Sequence, residues 1–454
     1  RAGRRPRDTV GIMLTNRPEF HLVDTAALHL GAVPFSIYNT SSPQQIEYLF
    51  GNAGNAVVVT EQIFGPAVRA ASTAVTTTIV VDGPAADAIT LDDVEHSGAT
   101  DFDFSAAWQA VRPEDLATII YTSGTTGPPK GVEITHRNII SELTSLAEVV
   151  DVGFDDRVIS YLPAAHIADR VSSHAANMVR GIQVTTVPDP REIGAALPEV
   201  HPTFFFGYPR LAEDPGRHRG QARRGNQPGQ EEAGSLGDEN RCRGRTSAAR
   251  RPYAQRHRHR PAHPRRQARP AEGAVGDRHG PTHLRRVGCR RDPAGGAAVL
   301  PRAGDTGAGG VGHVGDTGVS TMTTPENMRL GTVGKPVSGV EVTLADDGEL
   351  LIRGPVVMRG YRKQPDKTAE TIDSDGWLAT GDIAEIDADG NVRIVDRKKE
   401  LIINESGKNM SPTNIENALK AASSLIGQVV AIGDAKPFVS ALVVLDPDAA
   451  AARE

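Results

Sequence analysis

The chain of 454 residues has only two cysteines, few aromatic residues and no long apolar run. Cys242 and Cys289 give neither a disulfide framework nor a metal-ligand spacing, so we expect a reduced, cytoplasmic protein. No apolar segment approaches the length that crosses a bilayer, and we expect at most peripheral contact with membranes. The basic start at Arg1 lacks both an initiating methionine and the apolar stretch of a signal peptide, which predicts a chain truncated at its front.

The middle of the chain lacks whole classes of residue. Between Leu211 and Ser320 there is no Lys, Ile, Phe, Trp or Met. This window holds 21 Arg against 11 Asp and Glu, a net charge of +10, so the rest of the −6 chain carries −16. Such a segment has too little apolar surface to offset the entropy lost on ordering, and we predict that it is disordered.

What the chain does have is a loop rich in hydroxyls and glycines. The run Tyr121-Thr-Ser-Gly-Thr-Thr-Gly-Pro-Pro-Lys130 combines close backbone approach, N–H and O–H donors and one mobile positive charge. This combination indicates a polyphosphate site. The common P-loop pattern G-x-x-x-x-G-K-[ST] does not fit this run. The alternative to a polyphosphate site is a flexible loop that binds nothing.

The loop resembles the phosphate-binding loop of the adenylate-forming superfamily, which includes acyl-CoA synthetases, luciferases and adenylation domains. Further segments resemble signatures of that superfamily and follow in its order: 161–170, 203–210, 348–354, 358–361, 377–382 and 396–402. Nearer the start, 38–43 and 47–50 resemble its long-chain fatty-acid branch. An ordered set of motifs is far more specific than a single loop.

The resemblance implies a mixed α/β fold with a large domain of stacked sheets and a small mobile C-terminal α+β domain. Short apolar runs at 57–60 and 78–82 predict buried parallel strands, and 43–51 predicts a helix. Further strands are predicted at 118–122, 392–395, 401–403 and 439–445, with a helix beginning near 411. The domain boundaries that we expect are 1–210 and 317–396 for the large domain, 211–316 for the aberrant segment, and 397–454 for the small domain.

The resemblance also implies the chemistry. A fatty-acid carboxylate attacks ATP, carried as its Mg²⁺ complex, and coenzyme A then takes the acyl group. The phosphates are assigned to the loop residues Thr122, Ser123, Gly124, Thr125, Thr126, Gly127 and Lys130. Thr126, Lys130, His166 and Lys399 are counted as catalytic.

Five further residues receive roles from the same resemblance. Asp382 would bind both ribose hydroxyls, Arg397 would reinforce that contact, and Lys399 would lie at the pivot between the domains. His166 would gate the acyl pocket, and Gly407 would lie on the pantetheine side. The alternatives are a turn residue at Asp382, an exposed strand end at Arg397 and a partly buried histidine at 166. For Lys408 and Glu416, beside Gly407 in that loop and on the next helix, a solvated surface role is the alternative.

A frameshift would explain the middle segment. Codons that encode 311–316 as Val-Gly-His-Val-Gly-Asp permit Trp-Gly-Met-Ser-Glu-Thr one base later, the aromatic-Gly-x-Ser/Thr-Glu motif of the superfamily. The borders near 210–215 and 299–305 also permit expected sequence in that frame. As written, the glutamate that carries Mg²⁺ is replaced by Gly315, for which Asp316 is a weak substitute. The chain also stops at Glu454, before the catalytic lysine that the superfamily keeps near its end.

We therefore expect a long-chain fatty-acid–CoA ligase, an acid–thiol ligase by family, that is impaired as written. The alternatives are a non-catalytic acyl or nucleotide binder and an aryl-acid–CoA ligase. A nucleic-acid partner for the arginine-rich segment is not expected, because Tyr253 is its only aromatic residue. A natural linker remains the other interpretation of that segment.

Overall fold

The computed structural model describes residues 8–84, 87–122, 127–207, 310–324, 327–329, 331–405, 409–423, 425–446 and 450, with the short strands 285–288, 290–291 and 297–298. Its described residues all belong to one compact unit, 1–215 with 283–454.

The secondary-structure elements follow in chain order. The α-helices are α1 (Pro18–His29), α2 (Pro43–Ala53), α3 (Gly65–Ala70), α4 (Leu91–His96), α5 (Phe104–Gln109), α6 (His136–Val149), α7 (Ile167–Asp169), α8 (Ala176–Arg180), α9 (Ile193–Val200), α10 (Pro365–Thr371) and α11 (Pro412–Ala422). The strands are β1 (Thr9–Met13), β2 (Val33–Ser36), β3 (Val57–Thr60), β4 (Thr77–Val80), β5 (Ile89–Thr90), β6 (Leu116–Thr122), β7 (Lys130–Thr135), β8 (Arg157–Ser160), β9 (Gln183–Thr186), β10 (Phe204–Gly207), β11 (Arg285–Gly288), β12 (Arg290–Arg291), β13 (Ala297–Ala298), β14 (Gly310–Gly312), β15 (Thr321–Met322), β16 (Lys335–Pro336), β17 (Glu341–Leu344), β18 (Glu349–Arg353), β19 (Gly360–Tyr361), β20 (Leu378–Ile386), β21 (Val392–Arg397), β22 (Ile402–Ile403), β23 (Asn409–Met410), β24 (Ile426–Ile432) and β25 (Ser440–Leu445). Single 3₁₀ turns lie at Gln62–Phe64, Pro190–Glu192 and Val314–Asp316, and Arg170–Ala175 is a π-helix.

The first sheet is parallel, with strand order β2-β1-β3-β4-β5. β1, β2 and β3 are buried along their whole lengths, as expected for a parallel sheet that is covered on both faces. α2 begins with a capping box between Ser42 and Gln45, and Gly54 ends it in the left-handed conformation. The strands predicted at 57–60 and 78–82 and the helix predicted at 43–51 are confirmed, with shifts of one or two residues at their ends.

A three-stranded antiparallel sheet, in the order β19-β7-β6, carries the two ends of the candidate phosphate loop. Thr122 at the end of β6 pairs with Lys130 at the start of β7. β19 pairs with the other edge of β7 and brings Tyr361 next to Val132. The hairpin therefore presents Lys130 at a fixed position.

A four-stranded antiparallel sheet, in the order β17-β18-β20-β21, carries the candidate ribose residues. Leu350, Ile352 and Val392 are fully buried on one of its faces. Asp382 on β20 lies opposite Arg397 on β21, immediately before a register shift. The fold thus brings two segments that were singled out in the sequence into direct contact.

The arginine-rich segment is described only in part. β11 adds in parallel to β10, and β12 to β14 continue an antiparallel sheet that ends with β15 and β16. The other residues of 211–309 lie outside the described residues, so the prediction of disorder for that stretch stays a prediction.

After residue 399 the chain forms two small hairpins around α11. Ser411 caps α11, its hydroxyl accepting from the backbone N–H of Asn414 at 3.1 Å. β24 and β25 pair along six positions, yet Val430, Ile432 and Leu442 are more than half exposed. Among all helices of the described residues, none combines the length and apolar character that crossing a membrane requires.

Candidate functional site

The centre of the candidate site is the carboxylate of Asp382, which is 1% exposed. The guanidinium Nε of Arg397 lies 2.8 Å from its Oδ1. A carboxylate buried to this degree needs partners, because an unpaired charge in the interior is costly. The prediction that Asp382 and Arg397 act together agrees with this geometry, although the ribose contact itself is untested.

A residue that the sequence did not single out completes this cluster. The imidazole Nε2 of His313 lies 2.8 Å from Oδ2 of Asp382, and the His313 side chain is 12% exposed. Burial disfavours the charged imidazole, but the negative charge of Asp382 outweighs it and raises the pKa of His313. The sequence offered one signal for this residue, a histidine two positions before the missing glutamate.

Contacts of the neighbouring residues fix the backbone next to Asp382. Glu349, on the neighbouring strand β18, accepts from the N–H of Gly381 at 2.7 Å. The same carboxylate binds Lys398 at 2.6 Å. Gly381 has a φ of 79°, a left-handed conformation that favours glycine, and a Cβ there would lie 3.4 Å from Arg397 Nη1. Glycine is therefore favoured at 381, the position before the Asp382 carboxylate.

The phosphate end of the site is built around Lys130. Its ammonium group lies 4.7 Å from the centre of the Tyr361 ring, a cation–π geometry. Partial burial lowers the pKa of Lys130, and the positive charges of Lys399 and Lys367 lower it further. Lys399, the predicted domain pivot, is exposed, and its positive charge acts on Lys130.

Of the other predicted phosphate residues, Thr122 and Gly127 are described. Gly127 has a φ of 111°, and a Cβ there would meet nothing within 4 Å. A set of predicted site residues lies outside the described residues: Ser123, Gly124, Thr125, Thr126 and Gly407, together with Lys408. The geometry of the phosphate grip itself is therefore a prediction.

His166 does not approach this cluster through any contact described in the structure. It caps the short helix α7, its Nδ1 accepting from the N–H of Ala168 at 3.1 Å. This capping contact favours the structural interpretation of His166 without testing the gating role. Glu416 on α11 likewise has a structural contact, accepting from the N–H of Ala431 on β24 at 3.0 Å.

The π-helix that follows His166 in the chain takes part in a buried ionic network that the sequence did not indicate. Asp24 on α1 is fully buried and contacts Arg170 at 2.8 Å and His174 at 2.9 Å, both on the π-helix. Although burial opposes ionisation of Asp24, the positive charges of Arg170 and His174 outweigh it and lower the pKa of Asp24 to about 2. The network fixes α1 against the segment that resembles the border of an acyl pocket.

The turn before β15 has a glycine where the resemblance leads one to expect the Mg²⁺-carrying glutamate. Gly315 stands at the position of the expected glutamate. Asp316 is fully buried: its Oδ1 accepts from the N–H of His313 at 2.6 Å, and its Oδ2 accepts from Ser320 at 2.5 Å. Both oxygens of Asp316 thus have partners within the protein, and its role as a weak substitute ligand for Mg²⁺ stays a prediction.

The described residues contain no group of three or more His, Cys, Asp or Glu side chains arranged to hold a metal. When bound, Mg²⁺ would neutralise the charge of the nucleotide phosphates. Because the turn at Gly315 does not fit this ion, we assign no step to it.

The parallel and antiparallel sheets with their helices make a mixed α/β fold. Residues 1–362 match the AMP-binding enzyme family, and residues 399–454 match the AMP-binding enzyme C-terminal domain. The chain belongs to the AMP-binding enzyme family.

Similar curated proteins agree with this assignment. The putative fatty-acid–CoA ligase FadD11 of Mycobacterium tuberculosis is 43% identical over 374 residues, which cover 79% of this chain and 63% of that protein. The chain thus spans less than two thirds of that relative. The long-chain-fatty-acid–CoA ligase FadD15 of the same species is 33% identical, over 97% of this chain and 74% of FadD15.

Solved structures show the same fold at lower identity. The anthranilate CoA ligase AuaEII, solved with anthranoyl-AMP, superposes with a TM-score of 0.72 at 20% identity, over 100% of this chain and 80% of AuaEII. A fatty acyl CoA synthetase of Mycobacterium tuberculosis gives a TM-score of 0.67 at 22% identity, over 98% and 80%. These similarities establish the fold, and they do not distinguish acyl from aryl substrates.

Proposed function

We propose that this chain carries the nucleotide scaffold of a long-chain fatty-acid–CoA ligase and that its activity is impaired as written. The observation that carries the proposal is the Asp382–Arg397 pair, at 2.8 Å, in a chain that also presents Lys130 at the end of a hairpin. The two mycobacterial relatives named as fatty-acid–CoA ligases support the substrate class.

The reaction has two halves. A carboxylate oxygen attacks the α-phosphorus of ATP, the bond to the bridging oxygen breaks, and pyrophosphate leaves. The thiol of coenzyme A then attacks the acyl carbon, its proton goes to water, and AMP departs with the electrons of the cleaved C–O bond. In this scheme Lys130 neutralises negative charge on the β- and γ-phosphates, which leave as pyrophosphate. Asp382 and Arg397 orient the ribose.

The frameshift remains part of the proposal. A Cβ at Gly312 would lie 1.5 Å from the carbonyl oxygen of Gly318, so only glycine fits there, and both reading frames permit glycine at 312. Asp316 lies buried beside Glu142, and burial together with Asp316 raises the pKa of Glu142 well above its usual range. The displaced frame permits threonine at 316, which would remove this second buried carboxyl group.

A pair of proteins tests the proposal: the chain as written, and a chain whose residues 211–316 are translated from the displaced frame of the gene. Pyrophosphate exchange and CoA-thioester formation are measured with palmitate and with anthranilate. We expect the restored chain to exceed the written one by roughly 10³-fold in kcat/KM with palmitate, because the carboxylate at 315 and the nucleotide pocket return together.

The impairment and the substrate class are each tested by a separate outcome. Comparable turnover by the two chains would overturn the impairment, and preference of the restored chain for anthranilate would replace the fatty acid by an aryl acid. The second candidate, a non-catalytic nucleotide binder, is favoured by the presence of Lys130 and Asp382 in a chain with Gly315. It predicts that the written chain binds ATP and catalyses no exchange, while the restored chain gains no activity either.

A further inference from the structure

We propose that His313 is an internal competitor for the ribose site: its imidazole occupies the oxygen of Asp382 that a nucleotide hydroxyl would use, and it thereby sets the affinity of this chain for nucleotides. The inference rests on the proposed function, since it assumes that Asp382 is the ribose-binding carboxylate. It adds a specificity-determining residue to the chain as it is written.

The first step is the occupancy of the carboxylate. Oδ1 of Asp382 has Arg397 Nε at 2.8 Å, and Oδ2 has His313 Nε2 at 2.8 Å. The carboxylate is 1% exposed, so no wide open face is left for a third donor. A ribose that presents two hydroxyls would have to displace at least one of these partners.

The second step is the fixed position of the competitor. The His313 backbone N–H donates to Asp316 Oδ1 at 2.6 Å, which closes the 3₁₀ turn that follows. Thr317, with a φ of 65°, ends that turn, and its hydroxyl donates to the carbonyl of Val356 at 2.5 Å. Because the backbone is held on both sides, the imidazole can leave Asp382 only by changing its rotamer.

The third step is the charge around the imidazole. Asp382 on β20, Asp316 on its own turn and Arg397 on β21 are the charged groups that act on His313. The two carboxylates favour the charged imidazole and Arg397 opposes it. A charged His313 competes more strongly than a neutral one, since its positive charge attracts the carboxylate that it contacts. Nucleotide affinity should therefore rise as the pH is raised and His313 loses its proton.

The displaced reading frame supplies the informative variant. It permits methionine at 313, a flexible side chain that donates no hydrogen bond. His313→Met would leave Asp382 paired with Arg397 and free its other oxygen. His136→Met is the matched control, since His136 lies at the start of α6 and has no contact with Asp382 among the described contacts.

The experiment is equilibrium dialysis of [α-³²P]ATP against the full written chain, His313→Met and His136→Met, with 2′,3′-dideoxy-ATP as the second ligand. We expect the written chain and His136→Met to bind both nucleotides with similar affinity. We expect His313→Met to bind ATP about 10-fold tighter, through one recovered hydrogen bond to a charged group, with dideoxy-ATP unchanged. The affinity of the written chain for ATP should also increase with pH, whereas that of His313→Met should not.

A second measurement protects the test against loss of folding in the variant. In the ¹⁵N spectrum of the imidazoles of the written chain, saturating AMP should shift the His313 signal, because the imidazole then leaves its contact with Asp382. An unmoved His313 signal on AMP binding, or unchanged ATP affinity and discrimination in a folded His313→Met, would overturn the inference. Failure of both the written and the frame-restored chains to bind ATP would instead overturn the proposed function.

Discussion

The two ends of the candidate site differ in what their charged groups already contact. At the ribose end, Asp382 is buried and both of its oxygens face cationic groups of the protein. At the phosphate end, the ammonium of Lys130 makes no ion pair within the described part of the chain and lies near two other lysines. The charge at the ribose end is therefore already neutralised by groups of the protein. The charge at the phosphate end would be stabilised most by a bound anion.

This contrast assigns different tasks to the two ends. A buried charge that is paired internally contributes to folding as long as its partners stay, and it resists exchange for a ligand. A partly buried lysine that has no ion pair among the described residues contributes little to folding and is available to a phosphate. Folding and ligand binding should therefore separate when the two ends are altered one at a time.

The largest effect is expected for Asp382→Ala. This variant leaves Arg397 and His313 facing each other without the carboxylate that compensates them, and we expect a loss of about 3 kcal/mol in the free energy of unfolding. Urea unfolding monitored by circular dichroism measures it. Asp92→Ala, at an exposed position on α4, is the control and should change stability by less than about 0.5 kcal/mol. Equal stabilities of the two variants would mean that the ribose end is not held by this cluster.

Lys130→Ala should show the opposite behaviour. We expect stability within about 0.5 kcal/mol of the unaltered chain, because the variant removes a charge that lies near Lys399 and Lys367. Affinity for ATP should fall by about 10-fold while that for AMP stays unchanged, since only ATP carries the β- and γ-phosphates. Isothermal titration with both nucleotides checks this, with Lys420→Ala on α11 as the control. An equal loss for AMP would place Lys130 away from the outer phosphates.

Part of this contrast could be predicted from the sequence. Strands such as β3 and β6 are rich in apolar and β-branched residues. Asp382 and Arg397 lie in motifs that are close to each other in the sequence. Their approach across β20 and β21 follows from two adjacent strands in one antiparallel sheet. Local patterns of this kind can be read from the chain alone.

The contacts that were missed are those between distant segments. The Asp24–His174 contact joins residues 150 positions apart, and His313 reaches Asp382 only because β14 and the turn after it dock beside β20. No periodicity encodes such pairs. The burial of Asp316 and its bond to Ser320 also depend on tertiary packing, and the sequence did not indicate them.

The smallest effect concerns the pH dependence of the ribose end. Asp382 raises the pKa of His313 in the folded chain against the opposing effect of burial, whereas an unfolded histidine titrates near its ordinary value of about 6.5. The His313–Asp382 pair should therefore contribute fully below that value, and its contribution should be lost as the pH rises through the folded pKa of His313. The difference in unfolding free energy between the unaltered chain and His313→Met, from urea titrations at closely spaced pH values, should shrink upward from pH 6.5. A difference that stays constant or grows with pH would show that His313 is neutral when folded, and Asp382 would then be held by Arg397 alone.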